Sequence, residues 1–170
     1  MWTACRFLSW LVLGAATAIA AEPDKLANPA IDPASFLRVA HEAFAWRESR
    51  RIGEDAFIAM SRDRSTVVLD ARSREMFGAF HVKGAVNLPF PDIAVSTLAR
   101  LLPDKGVRIL IYCNNNFEGA PETMATKLPS ASLDLSTFAA LYNYGYRNVY
   151  EPGPRLDVRT TRIAFAGKAR

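Results

Sequence analysis

Cysteine is nearly missing from this sequence: only Cys5 and Cys113 occur in 170 residues. Cys5 falls in an N-terminal stretch with the marks of a secretory signal. Arg6 is the only charge before Glu22, Phe7 to Ala21 is uncharged and mostly apolar, and Ala18-Ile19-Ala20 offers a small-residue cleavage site. That run is too short for a comfortable membrane span. Residues 1–20 are therefore expected to be removed, leaving an exported protein, periplasmic or secreted, with no stable span. The remaining chain keeps a single thiol where disulfides are permitted, so no internal disulfide can form. Histidine is scarce too. His41 and His81 lie on segments separate from Cys113, which leaves no metal constellation and no expected cofactor. The absence of C-x-x-C argues against thioredoxin-type disulfide exchange, and there is no internal repeat.

A large charge of one sign is also missing from the body of the chain. Five cations stand against Asp157 from Arg155 to Arg170, and with Arg6 set aside residues 21–154 carry a net charge of −1. No aromatic stacking platform or nucleic-acid motif accompanies the basic stretch, so nucleic acid is not an expected partner. Residues 155–170 read as a basic C-terminal tail, and residues 21–31 as a polar linker.

What the sequence does hold is the pattern of one α/β domain over residues 32–154. At 50% hydrophobic and 22% charged, the roughly 150 residues left after signal removal can bury about two-thirds of the unfolded surface. Asp32-Pro33 starts a helix carrying Phe36, Val39, Ala40, Ala43 and Phe44 at helical spacing. A short helix at 54–60 precedes Thr66-Val67-Val68-Leu69-Asp70, a strand of the kind buried on both faces. Ser73 caps a helix with Met76, Phe77 and Phe80; 85–88 is a short strand closed by Pro89; Asp92 caps a helix with Ile93, Leu98, Leu101 and Leu102. Val107 to Tyr112 is the central strand, 136–143 a helix closed by Gly145, and 148–151 the last strand. Alternating strands and helices imply βαβ crossovers and a central, mainly parallel β-sheet flanked by helices on both faces.

Ligands in open α/β sheets collect beyond the carboxyl ends of the strands, and Asp70 and Cys113 both sit at such ends. Four elements follow in order: Val67-Val68-Leu69-Asp70-Ala71-Arg72; Ser73-Arg74-Glu75-Met76-Phe77; His81-Val82-Lys83-Gly84-Ala85-Val86-Asn87-Leu88-Pro89; and Ile109-Leu110-Ile111-Tyr112-Cys113. With the return strand Gly145 to Tyr150, this series resembles a rhodanese-like (sulfurtransferase) domain over about residues 50–152. The resemblance implies a cysteine that opens an active-site loop and carries sulfur as a persulfide, taking it from a small sulfur-containing donor and passing it to a thiol or cyanide. A thiolate at a strand end, facing loop amides and a helix N-terminus, is expected to have a lowered pKa and to lie in a cavity ringed by N–H groups.

The donor loop is then Asn114, Asn115, Asn116, Phe117, Glu118 and Gly119, with Asp70 and Arg72 as structural support. This loop departs from the family pattern. It holds no cation before Lys127 and reaches its next patterned helix only near Ser136. The asparagines can donate hydrogen bonds and adopt positive φ, but supply no charge. Gly119 stands where a cysteine phosphatase needs the Arg of C-x5-R, which argues against that chemistry. The alternative is a weak or inactive rhodanese-like binding module, with the expanded 114–135 segment as the surface for a protein partner.

Overall fold

The computed structural model describes residues 28–168. The expected signal and residues 21–27 of the expected linker lie outside the described residues. The chain divides after Asp32 into an N-terminal unit and a packed unit from Pro33 onward. In the first, Asn28 folds a short turn in which its carbonyl accepts from Ile31 N–H at 3.0 Å.

The packed unit runs α1 (Pro33–Arg47), β1 (Arg51–Ile52), α2 (Glu54–Ser61), β2 (Thr66–Asp70), α3 (Arg74–Ala79), β3 (His81–Val82), β4 (Val86–Asn87), α4 (Val95–Leu101), β5 (Arg108–Tyr112), β6 (Phe117–Glu118), α5 (Leu133–Asn143), β7 (Val149–Pro152), β8 (Leu156–Asp157) and β9 (Phe165–Ala166). The main sheet has the order β1-β7-β5-β2-β4, and every pairing in it is parallel. Parallel strands need both faces covered, which explains the unbroken apolar runs in β2 and β5. Side chains alternate across the sheet. Leu69, Ile109 and Ile111 enter one core with Phe138 and Leu141 of α5 and Ala43 of α1. Val68, Leu110 and Tyr112 enter the other with Phe57 of α2.

Three boundaries differ from the sequence reading. Helix α5 starts at Leu133, three residues earlier than the 136–143 read from the sequence, with Ser132 at the N-cap position but no side-chain capping bond. Asp92 belongs to a 3-10 turn, and α4 begins after Ala94, whose N–H is taken by the Thr97 hydroxyl at 3.0 Å. The stretch read as a basic tail is part of the packed unit. Ile163 and Phe165 are buried in the second core, β9 pairs antiparallel with β3, and β8 pairs with β6. Three of its cations are matched locally: Arg155 pairs with Glu118, Arg159 with Asp157, and Arg162 with Glu54 and Asp55.

Candidate functional site

The site grows from the carboxyl edge of β2 and β5, where Asp70 stands opposite Tyr112 and Cys113 is the next residue out. Asp70 and Arg72 are both buried, at 0% and 1% exposure. Asp70 Oδ1 accepts from the Arg72 backbone N–H at 2.9 Å and from Nε at 3.0 Å; Oδ2 accepts from Nη2 at 2.5 Å and from the Tyr112 hydroxyl at 2.6 Å. The rest of the guanidinium fork is spent on the Thr123 carbonyl at 2.8 Å, the Phe80 carbonyl at 2.7 Å and Met124 Sδ at 3.0 Å. A cation with its donors so occupied braces the chain beyond Cys113 and has little left for a ligand. Burial, followed by the Asp70 charge, pushes the Tyr112 phenol well above its usual range.

Cys113 itself is fully buried. Its backbone N–H donates to Asn116 Oδ1 at 2.7 Å, and Sγ accepts from Asn115 N–H at 3.4 Å and lies 3.5 Å from the Ser132 hydroxyl. The Asp134 N–H, in the first turn of α5, also points to Sγ. The ring of N–H groups is thus present, but it closes on the sulfur: Sγ meets polar groups with no cavity opening onto it among the described clefts. The expected lowering of the thiol pKa is reversed as well. Burial, followed by the negative charge of Asp134, pushes the thiol up to about 12, outweighing the hydrogen bonds that favour the thiolate.

The three asparagines form a 3-10 turn, and none of them uses a positive φ. Asn114 lines a cleft of about 430 Å³ with Arg72, Ser73, Met76, Lys127 and Leu133. Asn115 pins the following segment: its Nδ2 donates to the Lys127 carbonyl at 2.9 Å and its Oδ1 accepts from Lys127 N–H at 3.1 Å. Asn116 Nδ2 donates to the Pro152 carbonyl at 3.2 Å. The second half of the expected donor loop is engaged elsewhere. Phe117 is a core residue, edge-on to Tyr112 and to Phe165. Glu118 pairs with Asp157 in the β6–β8 ladder, and Gly119 turns the chain at φ +87° against the Asp157 carboxylate. An aromatic ring at 117 gains more from the apolar core than from a polar loop, and that sets the course of the next two residues.

Sequence reading missed Ser132 and Asp134, which act on Sγ, and Glu151 and Arg47, which act on Asp134. Asp134 is 3% exposed and Glu151 1%. Burial, followed by the charge of Glu151, pushes Asp134 up to about 7; burial also raises Glu151, against the pull of Arg47, whose guanidinium donates to Glu151 Oε1. The available signal was Ser132-Leu133-Asp134-Leu135, a capping serine with an acid two residues on, ahead of an apolar helical run. Among the described residues no cluster of His, Cys, Asp and Glu could hold a metal ion, and no helix is long and apolar enough to cross a membrane.

The family model for the rhodanese-like domain matches residues 54–151. No curated protein matches the chain. Among solved structures, the BH2092 protein from Bacillus halodurans is similar at 20% identity with a TM-score of 0.52, covering 78% of this chain and 88% of that one. A rhodanese with anions from E. coli is similar at 22% identity with a TM-score of 0.41, covering 61% of this chain and 99% of that one. At 20% identity the likeness to the BH2092 protein speaks for the fold alone.

Proposed function

The chain belongs to the rhodanese-like domain family, and on that footing we propose that it is an exported sulfurtransferase or persulfide carrier whose thiol, Cys113, is closed off at rest. The observation that carries the reading is the setting of Sγ. It lies at the carboxyl edge of a parallel sheet and is met by two backbone N–H groups and a hydroxyl. Those donors suit a thiolate or persulfide better than a packing sulfur. In the reaction the Cys113 thiolate attacks the outer sulfur of a donor, the S–S bond to the leaving group breaks, and Cys113-S-S⁻ then gives its outer sulfur to a thiol or cyanide.

Access requires movement of the segment from 119 to 132, because Ser132 stands against the thiol and Asn115 ties that segment down through Lys127. The cleft beside it brings Lys127 as a positive charge, whereas the charge of Arg72 is matched by Asp70. Export rests on the sequence of residues 1–20. The test is thiocyanate formation from cyanide with thiosulfate or polysulfide as donor, beside Cys113→Ser. Thiocyanate that requires Cys113 supports the reading; none from folded protein with either donor contradicts it. A second reading, a binding module recognising a protein partner through 114–135, is favoured by one observation: the sealed, protonated thiol.

A further inference from the structure

Behind Cys113 lies a buried polar cluster with unspent capacity: Asp134 Oδ1, Thr137 Oγ1 and Glu151 Oε2 have no hydrogen-bond partner among the described residues. Orphaned buried carboxylate oxygens are costly, and a fold that keeps them calls for a reason. The Asn116 amide and the Cys113 thiol lie beside the Asp134 carboxyl and both act on it as donors. It is therefore the acidic group next to the proton that must leave before Cys113 can act as a nucleophile.

We propose that Asp134 is the general base of Cys113, an inference that rests on the sulfur-carrier reading. The Cys113 S–H proton passes to the Asp134 carboxylate, and the sulfur's freed electron pair attacks the outer sulfur of a thiosulfonate-type donor. The donor's S–S bond breaks, and sulfite or sulfinate leaves with the bonding pair. The products are Cys113-S-S⁻, the leaving anion and a protonated Asp134, so one proton has moved and total charge is unchanged. Within this cluster the transfer also removes an obstacle. The negative charge of Asp134 is one of the causes that hold the thiol proton in place, and it disappears when Asp134 takes that proton. The thiolate is left with the Asn115 and Asp134 N–H groups and the Ser132 hydroxyl.

The charges around the base tune it. Glu151 of β7 faces Asp134 across the cluster, and Arg47 at the end of α1 acts on both, while Glu48 and Arg51 act on Glu151. Arg47 contacts Glu151 directly and pulls against the burial that raises its carboxyl. Asp134, raised to about 7, holds or releases its proton near neutrality, where a base is most effective.

The experiment is the rate of persulfide formation on Cys113 against pH, by rapid-quench mass spectrometry, with thiosulfate and with benzenethiosulfonate. It compares wild type, Asp134→Asn and Glu151→Gln. The wild-type rate should rise through a single ionisation near about pH 7 to a plateau. Asp134→Asn should lose that limb and fall at least about 100-fold at the plateau. Glu151→Gln should move the limb to lower pH, because the repulsion that raises Asp134 is gone. If Asp134 is only a repulsive neighbour, its amide instead speeds sulfur uptake and leaves the pH profile as it was, and the proposal is overturned. Should Asp134→Asn fail to fold, wild type and Glu151→Gln decide: no limb near neutrality, or no displacement of it, overturns the proposal. Sulfur uptake that proceeds without these signatures sinks the role of Asp134 alone. No uptake by wild type with either donor sinks the sulfur-carrier reading and the base with it.

Discussion

The closed state of Cys113 rests on a small number of bonds, and Asn115→Ala removes two of them in one step: Nδ2 to the Lys127 carbonyl at 2.9 Å and Oδ1 from Lys127 N–H at 3.1 Å. The backbone N–H of residue 115 still reaches Sγ, so the thiol's own setting is retained. A neutral hydrogen bond contributes about 0.5–1.5 kcal/mol net, and these two lie toward the surface, so together they hold the segment by about 1–2 kcal/mol. Their loss raises the open population about 5- to 30-fold. A buried thiol reacts only from the open form, so its labelling rate follows that population. The assay is the rate of Cys113 modification by a small neutral alkylating reagent, with urea unfolding run in parallel. A rate unchanged from wild type refutes the idea that Asn115 latches the segment over the thiol. So does an acceleration fully matched by lost global stability.

Three other perturbations test the surrounding structure. Asp70→Asn leaves the buried Arg72 without its counter-charge and should cost about 3–5 kcal/mol in urea unfolding; a loss under about 1 kcal/mol would show that the pair does not brace the edge of the sheet. Asp134 has its pKa raised from 3.8 to about 7 by folding, so the folded state binds the extra proton between those values. Stability is therefore fully present below about pH 4 and declines by up to about 4 kcal/mol as pH rises through about 7, and Asp134→Asn should flatten that slope in urea titrations at several pH values. Gly119→Ala places a Cβ 2.5 Å from Asp157 Oδ1 at φ +87°, and should cost about 1–3 kcal/mol in the same assay.

Most of the fold was legible because a buried parallel sheet writes itself as continuous apolar runs: Thr66–Asp70 matches β2 residue for residue, and 107–112 overlaps all of β5. Ser73 caps α3 as its sequence suggests, its hydroxyl accepting from Met76 N–H at 3.3 Å. The C-terminal stretch was less legible. Its strands are two residues long, and Ile163 and Phe165 are separated by a single alanine, too little pattern to outweigh five cations. At the site, the position of Cys113 could be read from the strand preceding it, but its chemistry could not. Local sequence shows which amides lie near a sulfur. It does not show that Asp134 brings its charge to bear on the sulfur while Glu151, 17 positions further along the chain, acts on Asp134, nor that Phe117 leaves the loop for the core.

The central claim, that Cys113 accepts sulfane sulfur, is tested most directly by intact mass of the protein after incubation with thiosulfate and separately with polysulfide, beside Cys113→Ser. The predicted result is a gain of one sulfur that needs Cys113 and is removed by cyanide. A folded protein with a free thiol that gains no sulfur from either donor contradicts it.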